Sequence, residues 1–129
     1  MPAGQPLVLI LARNLVASVT VAGFVTDAEG SVVFYNDAAG ELLGRRFEET
    51  GRLTREEWRA IGPVDAGGQP LDAEAPLTHV LKRNRPAHER FRICTDERGV
   101  IMVETSALPL TAADGFHGAV VLFWPSEEP

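Results

Sequence analysis

The chain has 129 residues, a size that suits one domain with a real hydrophobic core. Apolar residues make up 45% and charged residues 23%, a globular balance that excludes disorder throughout. The formal net charge of −6 argues against non-specific binding to a phosphate backbone, which needs a basic surface, so no nucleic-acid partner is expected.

Met1 to Gln5 read as a loose lead-in. Leu7 to Ala12 is a continuous apolar run, interrupted by Arg13 and Asn14. No basic segment precedes it, as a signal peptide would require, and it is too short to cross a bilayer. No membrane partner is expected. The pattern predicts a helix from Leu7 to about Ser18. Leu7, Leu11 and Leu15 recur at four-residue spacing, and Val8 and Val16 widen the stripe. The start of this helix is apolar nearly all round, so it needs a partner surface, either its own sheet or a second subunit. Leu7, Val8, Leu11 and Leu15 are the candidate homodimer contacts.

Ala22 to Thr26 and Ser31 to Tyr35 read as two strands joined by Asp27-Ala28-Glu29-Gly30. Asp closes a turn with its side chain, and Gly accepts positive φ without steric cost. Simple alternation puts Val32 and Phe34 on one face, with Val33 and Tyr35 on the other. Asn36 or Asp37 can then cap a short helix, with Leu42 and Leu43 as its apolar face and Gly44 as its stop. Thr54 and Glu57 match a capping box ahead of Trp58 and Ile61. Gly62 to Pro70 is a loop. Asp72 to Asn84 reads as a further helix, with Pro76 in its first turn and Leu77, Val80 and Leu81 on one face.

The remainder is β. His88 to Thr95 alternates, with Phe91 and Ile93 on one side and Arg90, Arg92 and Cys94 on the other. Cys94 is the sole cysteine, so neither an intrachain disulfide nor a cysteine-rich zinc site is expected, and a cytoplasmic location is the default. Val100 to Leu108 follows, closed by Pro109. Ala119 to Trp124 is apolar at every position, which predicts a strand covered on both faces and central in its sheet. The order gives an α+β arrangement: a five-stranded antiparallel sheet with short helices on one face and an N-terminal flanking helix.

Several segments together resemble a PAS domain. Val25-Thr26-Asp27-Ala28-Glu29-Gly30, Val32-Val33-Phe34-Tyr35-Asn36, Ala38-Ala39 and Leu42-Leu43-Gly44 are similar to the first hairpin and helix of many PAS domains. Gly68-Gln69-Pro70-Leu71, Glu74-Ala75-Pro76-Leu77 and Val80-Leu81 resemble the lead into the long PAS helix. Asp96-Glu97-Arg98-Gly99, Ser106 to Leu110 and Gly115 to Val121 resemble its last three strands. The resemblance divides the chain into a flanking and dimerisation helix at residues 1–17, the domain at 18–125 and a tail at 126–129. It implies a sensory or regulatory module in signal transduction or transcription regulation, a homodimer that takes a small ligand or a downstream signalling protein. A ligand-free dimerisation module is the alternative. The family often ends on an Asp-Ile-Thr-like tripeptide; here Trp124-Pro125-Ser126 stands there.

The implied pocket lies between the sheet and the short helices. Its candidate lining is Phe34, Leu43, Trp58, Leu77, Leu81, Phe91 and Met102, with Asn36 and Thr105 as polar groups. The plainer reading is that the same residues simply fill the core. No cofactor is expected. The flavin photoreceptor branch of the family carries a reactive Cys after the first helix, where Phe47 stands here, so a flavin adduct is disfavoured. His79 is the one haem candidate, but helical geometry turns it away from Leu77, Val80 and Leu81. No resident metal is expected. The serines lack a nucleophile-elbow context, and Gly67-Gly68 lacks a following Lys-Ser/Thr, so no catalytic residue is assigned and an enzyme is not expected.

Overall fold

The structure is a computed structural model that describes residues 7–45, 47, 51–69, 84–96 and 98–126. Helix α1 spans Leu7–Ser18 and buries Leu9, Ala12 and Val16, positions three and four apart on one face. Of the two partner surfaces expected for the leucine stripe, its own sheet is not the one it meets: Leu7, Leu11 and Leu15 are 68%, 58% and 61% exposed. Val8 is half-buried.

Strands β1 (Ala22–Asp27) and β2 (Val32–Tyr35) form the expected hairpin. Asp27 Oδ1 accepts from the Glu29 and Ser31 amides at 3.1 and 3.0 Å, and Gly30 takes φ 90°, so the turn is closed by side chain and glycine together. Simple alternation fails in β2. The register passes from Val25↔Phe34 to Thr26↔Val32, which leaves Val33 as an extra, bulged residue. Val32 and Tyr35 therefore share one core cluster, while Val33 and Phe34 pack with the other.

Helix α2 (Asp37–Leu43) begins at the Asn36 cap and ends at Gly44, whose φ of 81° is left-handed. Helix α3 (Arg55–Ile61) has a complete capping box: Thr54 Oγ1 accepts from the Glu57 amide at 3.1 Å, and Glu57 Oε1 accepts from the Thr54 amide at 3.0 Å. Thr54→Ala is expected to lower stability by about 1 kcal/mol, read from the denaturant midpoint. An unshifted midpoint would show that α3 is held by Trp58 and Ile61 alone. Of the helix anticipated over Asp72 to Asn84, all but Asn84 lies outside the described residues.

Strands β3 (Ala87–Thr95), β4 (Gly99–Ala112) and β5 (Gly115–Pro125) complete a five-stranded antiparallel sheet in the order β2-β1-β5-β4-β3. The apolar β5 is central, as expected. Strand β4 does not stop at Pro109. β3 pairs only as far as Ala107, so Pro109 follows the last β3 partner and pairs on its β5 side with Ala119. The chain's inner core packs α2 and α3 against one sheet face. On the other face α1 lies over Val25, Val33 and Val120, with Phe34, Leu110 and Leu122 at its margin. Gly23 makes that crossing close: a Cβ there would stand 2.8 Å from the Leu122 side chain and 3.4 Å from Val16.

Candidate functional site

The inner face of the sheet is the candidate site. Phe24 on β1 and Phe123 on β5 are both buried, with ring centroids 6.0 Å apart. Trp58 of α3 packs on both, at 4.4 and 6.4 Å. Leu43 of α2, Ile61 of α3, and Ile93 and Val103 of the sheet close around them. The Phe24–Trp58–Phe123 group is a buried aromatic cluster with polarisable ring faces.

Strand alternation fixes which anticipated residues reach this face. Leu43 and Trp58 belong to its buried cluster, and Phe91 packs against it. Thr105 is 2% exposed and shares this face with Val103 and Ala107. Two anticipated lining residues are elsewhere. Phe34 sits with the α1 side because of the β2 bulge, and the Arg13 guanidinium lies 4.8 Å above its ring. Met102 alternates with Val103 and so faces outward from the β4 surface, paired across from Arg92. Leu77, Leu81 and His79 lie outside the described residues. Phe24, Phe123, Tyr35 and Thr26 were not anticipated. The signal for the first two was present, since Phe24 alternates with Val25 and Phe123 with Leu122.

Asn36 has a role different from steering a ligand. Its side chain is 4% exposed as a residue and makes four bonds to protein. Oδ1 accepts from the Ala39 amide at 2.9 Å, which caps α2, and from the Gly23 amide at 3.1 Å on β1. Nδ2 donates to the carbonyl of Val16 in α1 at 2.9 Å and to that of Val21 at 2.8 Å. Both amide hydrogens and both oxygen lone-pair positions are used. One side chain thus joins α1, β1, β2 and α2.

A second tie runs beside it. The Arg45 guanidinium, just past α2, pairs with Asp96 at 2.7 Å in the β3–β4 turn, and the Asp96 amide donates to Leu43 O at 2.9 Å. Tyr35 closes the same corner by donating its hydroxyl to Arg45 O at 2.8 Å. Phe47, where a flavin-reactive Cys would stand, meets the Tyr35 ring edge-on at 5.2 Å.

Two surface groups stand apart from this site. On the outer face His88 Nδ1 lies 2.7 Å from Ser106 Oγ and its Nε2 3.5 Å from Glu104, an exposed polar network. In the β4–β5 turn the hydrogen bond from His117 holds the Asp114 carboxyl below its ordinary range. His117 is mostly covered, with 17% of its side chain accessible. Cys94 is half-buried and its thiol points to Gly68 O at 3.6 Å. Among the described residues no group of three metal-ligating side chains occurs, and no helix is long and apolar enough to cross a membrane.

A five-stranded antiparallel sheet with helices on one face and a flanking helix on the other defines the PAS class of α+β domain. The sequence matches the PAS fold family over residues 16–126, and the chain belongs to that family. The PAS domain of Bordetella pertussis BvgS is similar in fold at 17% identity and TM-score 0.63, over 93% of this chain and 86% of that one. The Rhodobacter sphaeroides LOV protein is similar at 15% identity and TM-score 0.73, over 95% and 70%. The PAS domain of nitrogen regulation protein NR(II) from Vibrio parahaemolyticus is similar at 13% identity and TM-score 0.59, over 90% and 98%. No curated protein matches the chain by sequence.

Proposed function

We propose that this PAS domain is a sensory or regulatory module: it takes a small molecule on its inner face and passes the resulting shift to α1, through which two copies pair. The observation that carries this reading is Asn36. It bonds at once to the start of α2, which covers the inner face, and to the end of α1, which lies on the opposite side of the sheet. A change in α2 position alters the bonds that hold α1. Ligand binding then shifts an equilibrium between two α1 arrangements, by as much as its affinity for the two differs.

Membership in the PAS family supports the signalling class, since such domains occur in two-component sensor histidine kinases. A thermal-shift panel of metabolite classes tests the ligand. A saturable rise in melting temperature for one class is expected, and a flat response across all classes contradicts it.

The exposed leucines favour the alternative reading of a ligand-free dimerisation module. Leu7, Leu11 and Leu15, with Ile10 at 42%, form an exposed apolar strip along one side of α1, the kind of surface a protein partner covers. Pairing through α1 is part of both readings. Leu11→Glu with Leu15→Glu is expected to convert a dimer to a monomer in sedimentation while the fold persists. A parent chain that sediments as a monomer, or a variant that stays dimeric, contradicts the α1 interface.

A further inference from the structure

Three of the four buried polar residues of the described chain lie in the sheet, and the fold treats them differently. Thr95 Oγ1 donates to Gly99 O and accepts from the Arg98 amide, both at 2.9 Å, so its turn satisfies it. Thr26 Oγ1 and Thr105 Oγ1 have no hydrogen-bond partner, although the residues are 0% and 2% exposed. A buried hydroxyl without a partner is unfavourable, and native cores rarely keep one without a reason.

The positions of these two hydroxyls are related. Thr105 pairs across to Phe123, and Thr26 follows Phe24 by two on β1, so both threonines face inward with those rings. The path Thr105–Phe123–Phe24–Thr26 is a diagonal over the inner face, with Trp58 packed on both rings along it. The partners of the two threonines on β5 are Phe123 and Ala119, four residues apart, which is about 13 Å along the strand. No charged side chain is buried among the described residues. Glu89 lies directly opposite Thr105 on β3, on the same face and exposed, which disfavours an anion there.

We propose that the inner face binds an elongated, uncharged molecule with an apolar body, whose hydrogen-bonding head sits on the Thr105 hydroxyl and whose body runs over Phe123 and Phe24 toward Thr26. The inference rests on the ligand-binding reading above and narrows its ligand class. Burial of the body supplies affinity, and Thr105 selects a head that can bond without charge.

The test uses the full chain carrying Trp124→Phe, which leaves Trp58 as the only tryptophan, and two probes of equal length, ω-bromoundecanol and ω-bromoundecanoate. Bromine quenches a tryptophan it reaches. The alcohol is expected to quench Trp58 saturably and to bind at least about tenfold more tightly than the carboxylate. Thr105→Val keeps shape and removes the partnerless hydroxyl, so it is expected to melt no lower than the parent and to bind the alcohol about tenfold more weakly. Thr26→Val is expected to leave alcohol affinity unchanged. If neither probe quenches Trp58, the elongated apolar ligand is overturned, and the ligand-binding reading falls with it only where the thermal-shift panel is also flat across all classes. If both bind and Thr105→Val changes nothing, or Thr26→Val is the variant that weakens the alcohol, the Thr105 anchor alone is overturned. Equal affinity for the two probes overturns the selection against charge.

Discussion

Asn36→Ala is expected to lower the melting temperature by about 10 °C or more. Four bonds are lost at one buried position. The α2 cap alone is worth about 1 kcal/mol. The Gly23 amide and the Val21 carbonyl lose partners that no other side chain replaces in the described network, while the Val16 carbonyl keeps the Val19 amide at 3.4 Å. Each stranded group costs about 1–3 kcal/mol where water cannot reach it. Taken at the lower end of that range, the cap and the two stranded groups come to about 3 kcal/mol, which for a domain of this size is roughly 10–15 °C. Asn36→Asp separates the two halves of the network. Asp caps a helix about as well as Asn, so the bonds from Ala39 and Gly23 persist. The two bonds from Nδ2 are replaced by an oxygen facing the Val16 and Val21 carbonyls. Asn36→Asp is therefore expected to lose most of the same stability, and to lose it at α1. Thermal melts of both variants check this. A shift of only a degree or two in either would show that α1 is held by its apolar contacts alone.

Gly118→Ala is expected to be at least as damaging. The residue sits in central β5 with φ 145°, a backbone conformation that side chains rarely adopt. A Cβ there would stand 2.0 Å from the Thr26 carbonyl oxygen and 2.9 Å from its carbon, both backbone atoms of β1. Neither can swing aside, so β1 and β5 must separate at the Asp27–Gly118 end of their pairing. The cost is expected to exceed about 3 kcal/mol, among the larger single-residue effects. Gly99→Ala provides the comparison. Its φ is 69°, yet a Cβ there meets nothing within 4 Å. Only conformational strain remains, about 1–2 kcal/mol. Chemical denaturation of the pair checks the difference. Equal losses would mean that backbone conformation, rather than strand contact, sets the cost at Gly118.

Most of the fold is legible in the sequence because local signals agree with one another. Asp27 and Gly30 specify the hairpin, Asn36 and Gly44 bracket α2, Thr54 and Glu57 start α3, and the unbroken apolar run of β5 announces its central place. What is not legible depends on pairing partners distant in sequence. The Val33 bulge moves Phe34 to the α1 face, and nothing in Val32 to Tyr35 by itself announces an extra residue. β4 continues past Pro109 because β3 has already ended, a fact about another strand.

The site is less legible than the fold for the same reason. Residue type alone nominates Met102, but its alternation with Val103 puts it on the outer surface. Asn36 is nominated as a polar pocket group, and only the approach of α1 shows where its amide hydrogens go. The leucine stripe of α1 has the periodicity of a buried seam. The sheet takes the Leu9–Ala12–Val16 face instead, so the more regular stripe is left outside. A helix apolar on two faces cannot announce which of them its own sheet will cover.

Hydrogen exchange of α1 tests the relay most directly. The parent chain and Asn36→Ala are each measured with and without ω-bromoundecanol on the inner face. In the parent, the bound alcohol is expected to change amide exchange across the end of α1 and the Val19 to Gly23 segment by tenfold or more. In Asn36→Ala the same alcohol, still bound as read by Trp58 quenching, is expected to leave that segment unchanged. Exchange in α1 that ignores the bound alcohol in the parent, or responds equally in both chains, would contradict a signal carried from the inner face to α1 through Asn36.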